Sequence, residues 1–201
     1  MALAHPLNPE AYEAYLRGDF EKSIQADLDY APAHAGLASS LYYRALFGGT
    51  PPLPGFTGVM KSAAKAVELD PTLAAGHAFL ALGKLHRQWG WTEAEEGFRR
   101  ALRLDPNDAE TRHNFAHFLL WSNRGRESAE ECDRAVELDP FNPGLIACLG
   151  WHDVWAGDYD RAIETTRRAL TFQPNERWAL MIMGWADGNR GTHAPGPTSP
   201  W

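Results

Sequence analysis

The stretch Val67-Glu68-Leu69-Asp70-Pro71 returns as Leu102-Arg103-Leu104-Asp105-Pro106 and as Val136-Glu137-Leu138-Asp139-Pro140. Leu170-Thr171-Phe172-Gln173-Pro174 is a looser copy. The four prolines stand 35, 34 and 34 residues apart. A period of this length is the mark of a repeat architecture in which each unit buries its apolar face on its neighbour. Ten residues past each proline comes a small residue, Ala81, Ala116, Gly150 or Gly184, directly after a bulky apolar one. Leu37-Ala38 opens the same series one unit earlier. Small residues recurring at one phase predict repeated close approach of two helix backbones.

Between the anchors each unit reads as two helices. In the clearest, Ile146, Leu149, Gly150 and Asp153 form one helical stripe, and Ala162, Thr166, Ala169 and Leu170 form a second. Gly157-Asp158 breaks the chain between them, and Pro174 closes the unit, because proline cannot continue a helix. No stretch alternates with the period of a strand, so the class is all-α.

This phased pattern resembles the tetratricopeptide repeat: a bulky–small pair, a later alanine, an aromatic four residues on, and a terminal proline. Leu80-Ala81, Ala94, Phe98, Ala101 and Pro106 carry it in one unit, Phe115-Ala116, Ala135 and Pro140 in the next, and Leu149-Gly150, Ala162, Ala169 and Pro174 in the third. The resemblance implies an α-solenoid of antiparallel helix pairs, about five units with the first and last incomplete. The array is assigned to residues 1–191, with a loop insertion at 48–56 and a disordered Pro/Gly-rich tail at 192–201. Ala11-Tyr12-Glu13-Ala14-Tyr15-Leu16-Arg17-Gly18 and Trp89-Gly90-Trp91-Thr92-Glu93-Ala94-Glu95 further resemble the arrays of bacterial regulators whose winged-helix, Ser/Thr kinase or cyclase domains lie upstream. Nothing in these residues supports such an activity for this chain, which is read as non-catalytic.

The departures from the repeat are local. The first unit is short, with its second helix starting directly after Gly18. Leu28 stands where a closing proline is expected, and Asp153 replaces an apolar residue on an inner stripe. The last unit shows a first helix from Glu176 to about Ala186 and no second, which leaves it uncapped.

Composition excludes several functions. Among 201 residues the net charge is -7 with pI near 5.6, without the basic excess that a duplex-binding surface shows, so no nucleic-acid role is expected. The N-terminus lacks a basic flank before an apolar run, and no run of about 18 apolar residues occurs, so a cytoplasmic, non-membrane protein is expected. Two cysteines, Cys132 and Cys148, cannot form a disulfide framework. They fall on facing helices of consecutive units and read as buried free thiols.

The resemblance places function on the concave stripe of first helices, where tetratricopeptide proteins generally hold a peptide or partner segment. Helical spacing from each small slot puts Tyr42, Tyr43, His86, His113, His117, Trp121, Trp151, Trp155 and Trp185 there, with Asn114 beside it and Trp178 near its end. A carboxylate-clamping groove would carry Lys, Arg and Asn, and only Asn114 matches. The predicted ligand is therefore an apolar or aromatic protein segment. Trp89 and Trp91 fall at a turn and read as core or turn packing.

His113 and His117 share a helix face as a metal-binding pair would, but the glutamate of the zinc-protease motif is Asn114 here. No third ligand is evident from the spacing, although His86 or His152 could approach from a neighbouring unit. The pair is read as a polar groove stripe, and no metal or cofactor is expected. Two alternatives remain: self-association through the uncapped last unit to a homo-oligomer, and a histidine-site metal enzyme.

Overall fold

The computed structural model describes residues 7–191. The expectations for residues 1–6 and for the tail at 192–201 lie outside this range. The described residues form helices and turns with no strand. The chain separates into two compact units, one up to Pro106 and one from Asn107.

The first unit contains α1 (Pro9–Leu16), α2 (Phe20–Ala26), α3 (Ala31–Leu46), α4 (Pro52–Leu69), α5 (Ala74–Gln88) and α6 (Trp91–Leu104). The second contains α7 (Ala109–Trp121), α8 (Gly125–Leu138), α9 (Pro143–Trp155), α10 (Tyr159–Phe172) and α11 (Arg177–Asn189). Within each unit, consecutive helices pack as antiparallel pairs.

The Asp-Pro anchors explain where the second helices end. Asp70, Asp105, Asp139 and Gln173 are the C-caps of α4, α6, α8 and α10, all outside the helical region and all but Asp139 extended. A following proline disfavours the helical region for the residue before it. Asp27 is extended at the end of α2 as well, although Leu28 follows it. There the Asp27 carboxylate accepts the Asp29 amide at 3.1 Å, a local turn that substitutes for the proline.

The turns inside the pairs share one device. Gly18, Gly48, Trp89, Asn123 and Gly157 all have positive φ. In each turn the next amide reaches back to a helix carbonyl, as from Gly90 to Lys84, Arg124 to Leu119 and Asp158 to Asp153. This left-handed closure exposes the last carbonyls of the helix to bonding partners. Trp89 is therefore a C-cap with its ring 58% exposed, not a core residue.

The insertion at 48–56 is corrected. Only residues 47–51 connect the helices, and residues 52–56 form the first turn of α4. Prolines at 52 and 54 are compatible with a helix start, where amides have no intrahelical partner. The long second-unit interval is thus taken up largely by a longer helix.

The small slots are contact points. A Cβ on Gly150 would lie 2.8 Å from Thr166 Cγ2 of α10, and one on Gly97 of α6 would lie 2.8 Å from the Ala81 methyl of α5. Gly184 differs: nothing lies within 4 Å, because α11 has no second helix against that side among the described residues. Ala94 and Ala162, both fully buried, are matched in phase by Ser128. Ser128 donates to the Ala116 carbonyl across the pair, as Ser23 donates to the Ala11 carbonyl at 2.7 Å. The hydroxyl thus fits the tight slot because a backbone acceptor faces it.

Asp153 is paired where it enters the interior. It accepts from Thr165 Oγ1 at 3.1 Å and meets Arg161 Nε at 3.2 Å. Partial burial still raises its pKa, against the opposing pull of Thr165 and Arg161.

Candidate functional site

The predicted stripe residues fall into two groups. In the first unit, Tyr42 is 3% exposed and sits among Phe56, Phe79 and His86, with ring centroids 6.2, 6.2 and 5.7 Å away. Its placement in an open groove is corrected: α3, α4 and α5 close around it. His86 stacks on Phe56 at 4.6 Å and an interplanar angle of 11°. Burial lowers the His86 pKa to about 4, since an imidazolium there would lose hydration. Tyr43, only partly buried, meets Tyr42 edge-on at 5.2 Å and stacks with Phe47 at 6.4 Å. Phe56 escapes a reading of the sequence because the prolines and glycines around it point to loop.

In the second unit the stripe is a connected aromatic face built by α7, α9 and α11. Trp151 is its centre, with Trp178 at 5.4 Å, Trp155 at 6.2 Å and Trp185 at 6.3 Å between ring centroids. His117 joins it, 5.6 Å from Trp178 and 6.0 Å from Trp121. His113 stands 4.5 Å from His117. α9 and α11 pack side by side, so their stripes form one surface, and α7 joins it through the His117 ring against Trp178.

Exposure varies across that face. Asn114 is 2% exposed and His117 is also buried, so both support the face from beneath rather than form it. Trp121, Trp151, Trp155 and Trp178 are half-buried, and Trp185 is 45% exposed beside Met181 at 46%. The buried Asn114 Nδ2 and Trp155 Nε1 have no hydrogen-bond acceptor among the described residues. Arg112 and Glu131 pair at the α7–α8 contact. Other ion pairs of this unit, such as Arg126–Glu130 and Arg134–Glu137, involve the second helix α8.

Beneath the aromatic face, Cys132 and Cys148 join the histidines that the sequence reading weighs as a metal pair. His113, His117 and Cys148 bring one potential ligand atom each within 4.8 Å of one another, and so do Cys132, Cys148 and His152. Both thiols are free and fully buried. Burial lowers the pKa of His117 well below the usual value and that of His113 to about 4. The Cys132 thiol is held protonated by its hydrogen bond to Cys148 and by burial. The signal available in the sequence is weak: His-x3-His on one helix and Cys-x3-His on another, 31 residues apart from His117 to Cys148.

Comparison with solved structures decides the fold. A thermophilic TPR protein of Thermus thermophilus superposes over 88% of this chain and 94% of its own, with TM-score 0.67 at 16% identity. This is a tetratricopeptide-repeat fold. YrrB, described as a TPR protein with an unusual peptide-binding site, matches over 87% of this chain and 84% of its own, with TM-score 0.52 and 18% identity. Pseudomonas aeruginosa pilF matches over 76% of this chain and 68% of its own, with TM-score 0.57 and 22% identity.

By sequence, this chain is similar to Hsp70-Hsp90 organizing protein 1 of Glycine max, at 29% identity over 48% of this chain and 17% of that protein. It is similar to the mitochondrial import receptor subunit TOM70 of Homo sapiens, at 24% identity over 79% of this chain and 26% of that protein. The chain thus spans about a quarter or less of these relatives. No protein-family model matches it. No helix among the described residues is long and apolar enough to cross a membrane.

Proposed function

We propose that this chain is a non-catalytic protein-interaction module that takes an apolar or aromatic partner segment on the tryptophan face of its second unit. The observation that carries the reading is the Trp151-centred cluster, which ends in the half-exposed Trp185 and Met181. Aromatic anchors of this kind dominate binding energy where they become fully buried by a partner. Support also comes from the relatives, whose names describe an organizing protein, an import receptor subunit and a protein with a peptide-binding site. The array would serve as the sensing or scaffolding part of a larger cytoplasmic regulator.

Panning a displayed random-peptide library against the purified chain tests this. Enriched peptides should carry aromatic or long aliphatic residues, and Trp185→Ala should weaken them at least about tenfold. Enrichment of acidic peptides, or affinity unchanged by Trp185→Ala, would overturn the proposal.

A second reading rests on Leu180, Met181 and Trp185, which give α11 an exposed apolar surface at 42%, 46% and 45%. Such a surface fits self-association. Sedimentation over a wide concentration range separates the two, since a strict monomer removes the second.

A further inference from the structure

We propose that His113, His117, Cys132, Cys148 and His152 constitute a transition-metal site that takes one Zn2+ inside the second unit. Both thiolates and His152 would bind the ion, and a histidine of α7 would complete a tetrahedral set.

The argument starts from placement. His113 and His117 lie one turn apart on α7, and Cys148 and His152 lie one turn apart on α9. Cys132 comes from the middle of α8, between them in sequence. Three helices therefore deliver five donors in two overlapping triads that share the buried Cys148. Tetrahedral zinc holds sulfur at about 2.3 Å and nitrogen at about 2.0–2.1 Å, so its ligands lie roughly 3.3–3.8 Å apart. Within each triad the donor atoms already lie within 4.8 Å of one another, and rotation of an α7 histidine about its side-chain bonds, from its place beside Cys148, would complete the set. A set of two sulfurs and two imidazoles is a common structural zinc shell, and it disfavours the hard ions Mg2+ and Ca2+.

Two further observations point to a ligand. His113 Nδ1 is buried with no hydrogen-bond partner, although a buried polar atom is ordinarily satisfied. Ser128 Oγ donates to the Ala116 carbonyl and so accepts from His152 Nε2 at 3.3 Å. A His152 tautomer with its proton on Nε2 would satisfy that contact and leave the Nδ1 lone pair free to ligate. Metal-ligating histidines are held by outer-shell partners in this way.

The ion also has an approach. A cavity of about 460 Å3, lined by Leu120, Leu149, His152, Asp153, Trp155 and Arg161 among others, reaches His152. Binding would release the two thiol protons to solvent, leaving both sulfurs as thiolates.

The test uses the full chain, reduced and stripped with a chelator, and titrated anaerobically with Co2+ as the spectroscopic probe. One equivalent should bind, with intense visible d–d bands of a tetrahedral site and a thiolate-to-cobalt charge-transfer band. Zn2+ should displace it. Cys148→Ala should abolish the charge-transfer band or weaken binding at least ~100-fold, and His152→Gln, at the cavity wall, should weaken it by ~10-fold or more with the helical circular dichroism unchanged. Ser128→Ala should weaken it by a smaller factor. Absence of uptake by the wild-type chain, octahedral spectra without thiolate character, or an affinity indifferent to both Cys148→Ala and His152→Gln would overturn the site.

Discussion

The indole rings of Trp151 on α9 and Trp178 on α11 lie 5.4 Å apart at an interplanar angle of 54°. Trp151 also touches Trp155 and Trp185, so one side chain holds the tryptophan face of the second unit together. Its central position separates two roles that a single substitution usually mixes.

Trp151→Ala should lower stability by about 2–4 kcal/mol, because it removes a partly buried ring and its aromatic contacts. Trp185→Ala should stay within about 1 kcal/mol of wild type, since that ring is 45% exposed. Both should weaken an aromatic peptide. Urea denaturation beside peptide titration checks this, and a Trp185→Ala protein as destabilised as Trp151→Ala would refute the division.

Affinity for such a peptide should change little with salt. The exposed part of the face is made of Trp and Met side chains, and the pairs Arg126–Glu130 and Arg134–Glu137 belong to α8. Exposed charges are screened within about 8–10 Å at physiological ionic strength, whereas apolar burial is not. Titration at low and high sodium chloride would show a steep decline only if charge dominates.

Two glycines in one repeat phase should respond oppositely. Gly150→Val places carbon where Thr166 Cγ2 already stands and should cost about 2–3 kcal/mol. Gly184→Ala meets nothing within 4 Å and should stabilise α11 by about 0.5–1 kcal/mol, through helix propensity. Thermal and urea unfolding of the two variants give the signs directly.

His86 should make the first unit acid-sensitive. Its native pKa is lowered by burial to about 4 from an ordinary 6.5. As pH falls through 6.5 the unfolded chain takes up the proton first, so native stability declines until about pH 4. His86→Phe should lose less stability than wild type between about pH 7 and pH 4.5, by on the order of 2–3 kcal/mol. Parallel slopes for the two proteins would contradict the burial argument.

Ser23→Ala should cost about 1 kcal/mol, because the buried hydroxyl bonds the Ala11 carbonyl across the α1–α2 pair. Chemical denaturation measures it, and a neutral result would mean that the alanine found at this phase elsewhere serves equally well here.

The helix pairs are legible because helical structure is written locally. The Asp-Pro anchors, the Gly18 and Gly157 turns and the small slots repeat at one phase, and each acts within a few residues of itself. Trp89 and Asn123 hide their turns, since left-handed caps usually announce themselves with glycine. Pro52 and Pro54 mislead in the other direction, because proline marks a helix start as well as a break.

The site is legible as a stripe but not as a depth. Spacing puts Tyr42, His117 and Trp185 on the same side of their helices, yet only Trp185 of these is exposed. How far a side chain on a given face reaches water depends on the neighbouring helices, as Phe56 and Phe79 show around Tyr42.

By itself, then, the sequence determined an all-helical repeat, its period, and an aromatic stripe on the first helices, for these follow from spacing along one chain segment. Tertiary structure alone decided which stripe residues are buried, and it alone brought Cys132, Cys148 and His152 together beside His113 and His117. Those donors come from three helices, and their convergence is set by the distance and angle at which helices pack, which no local period encodes.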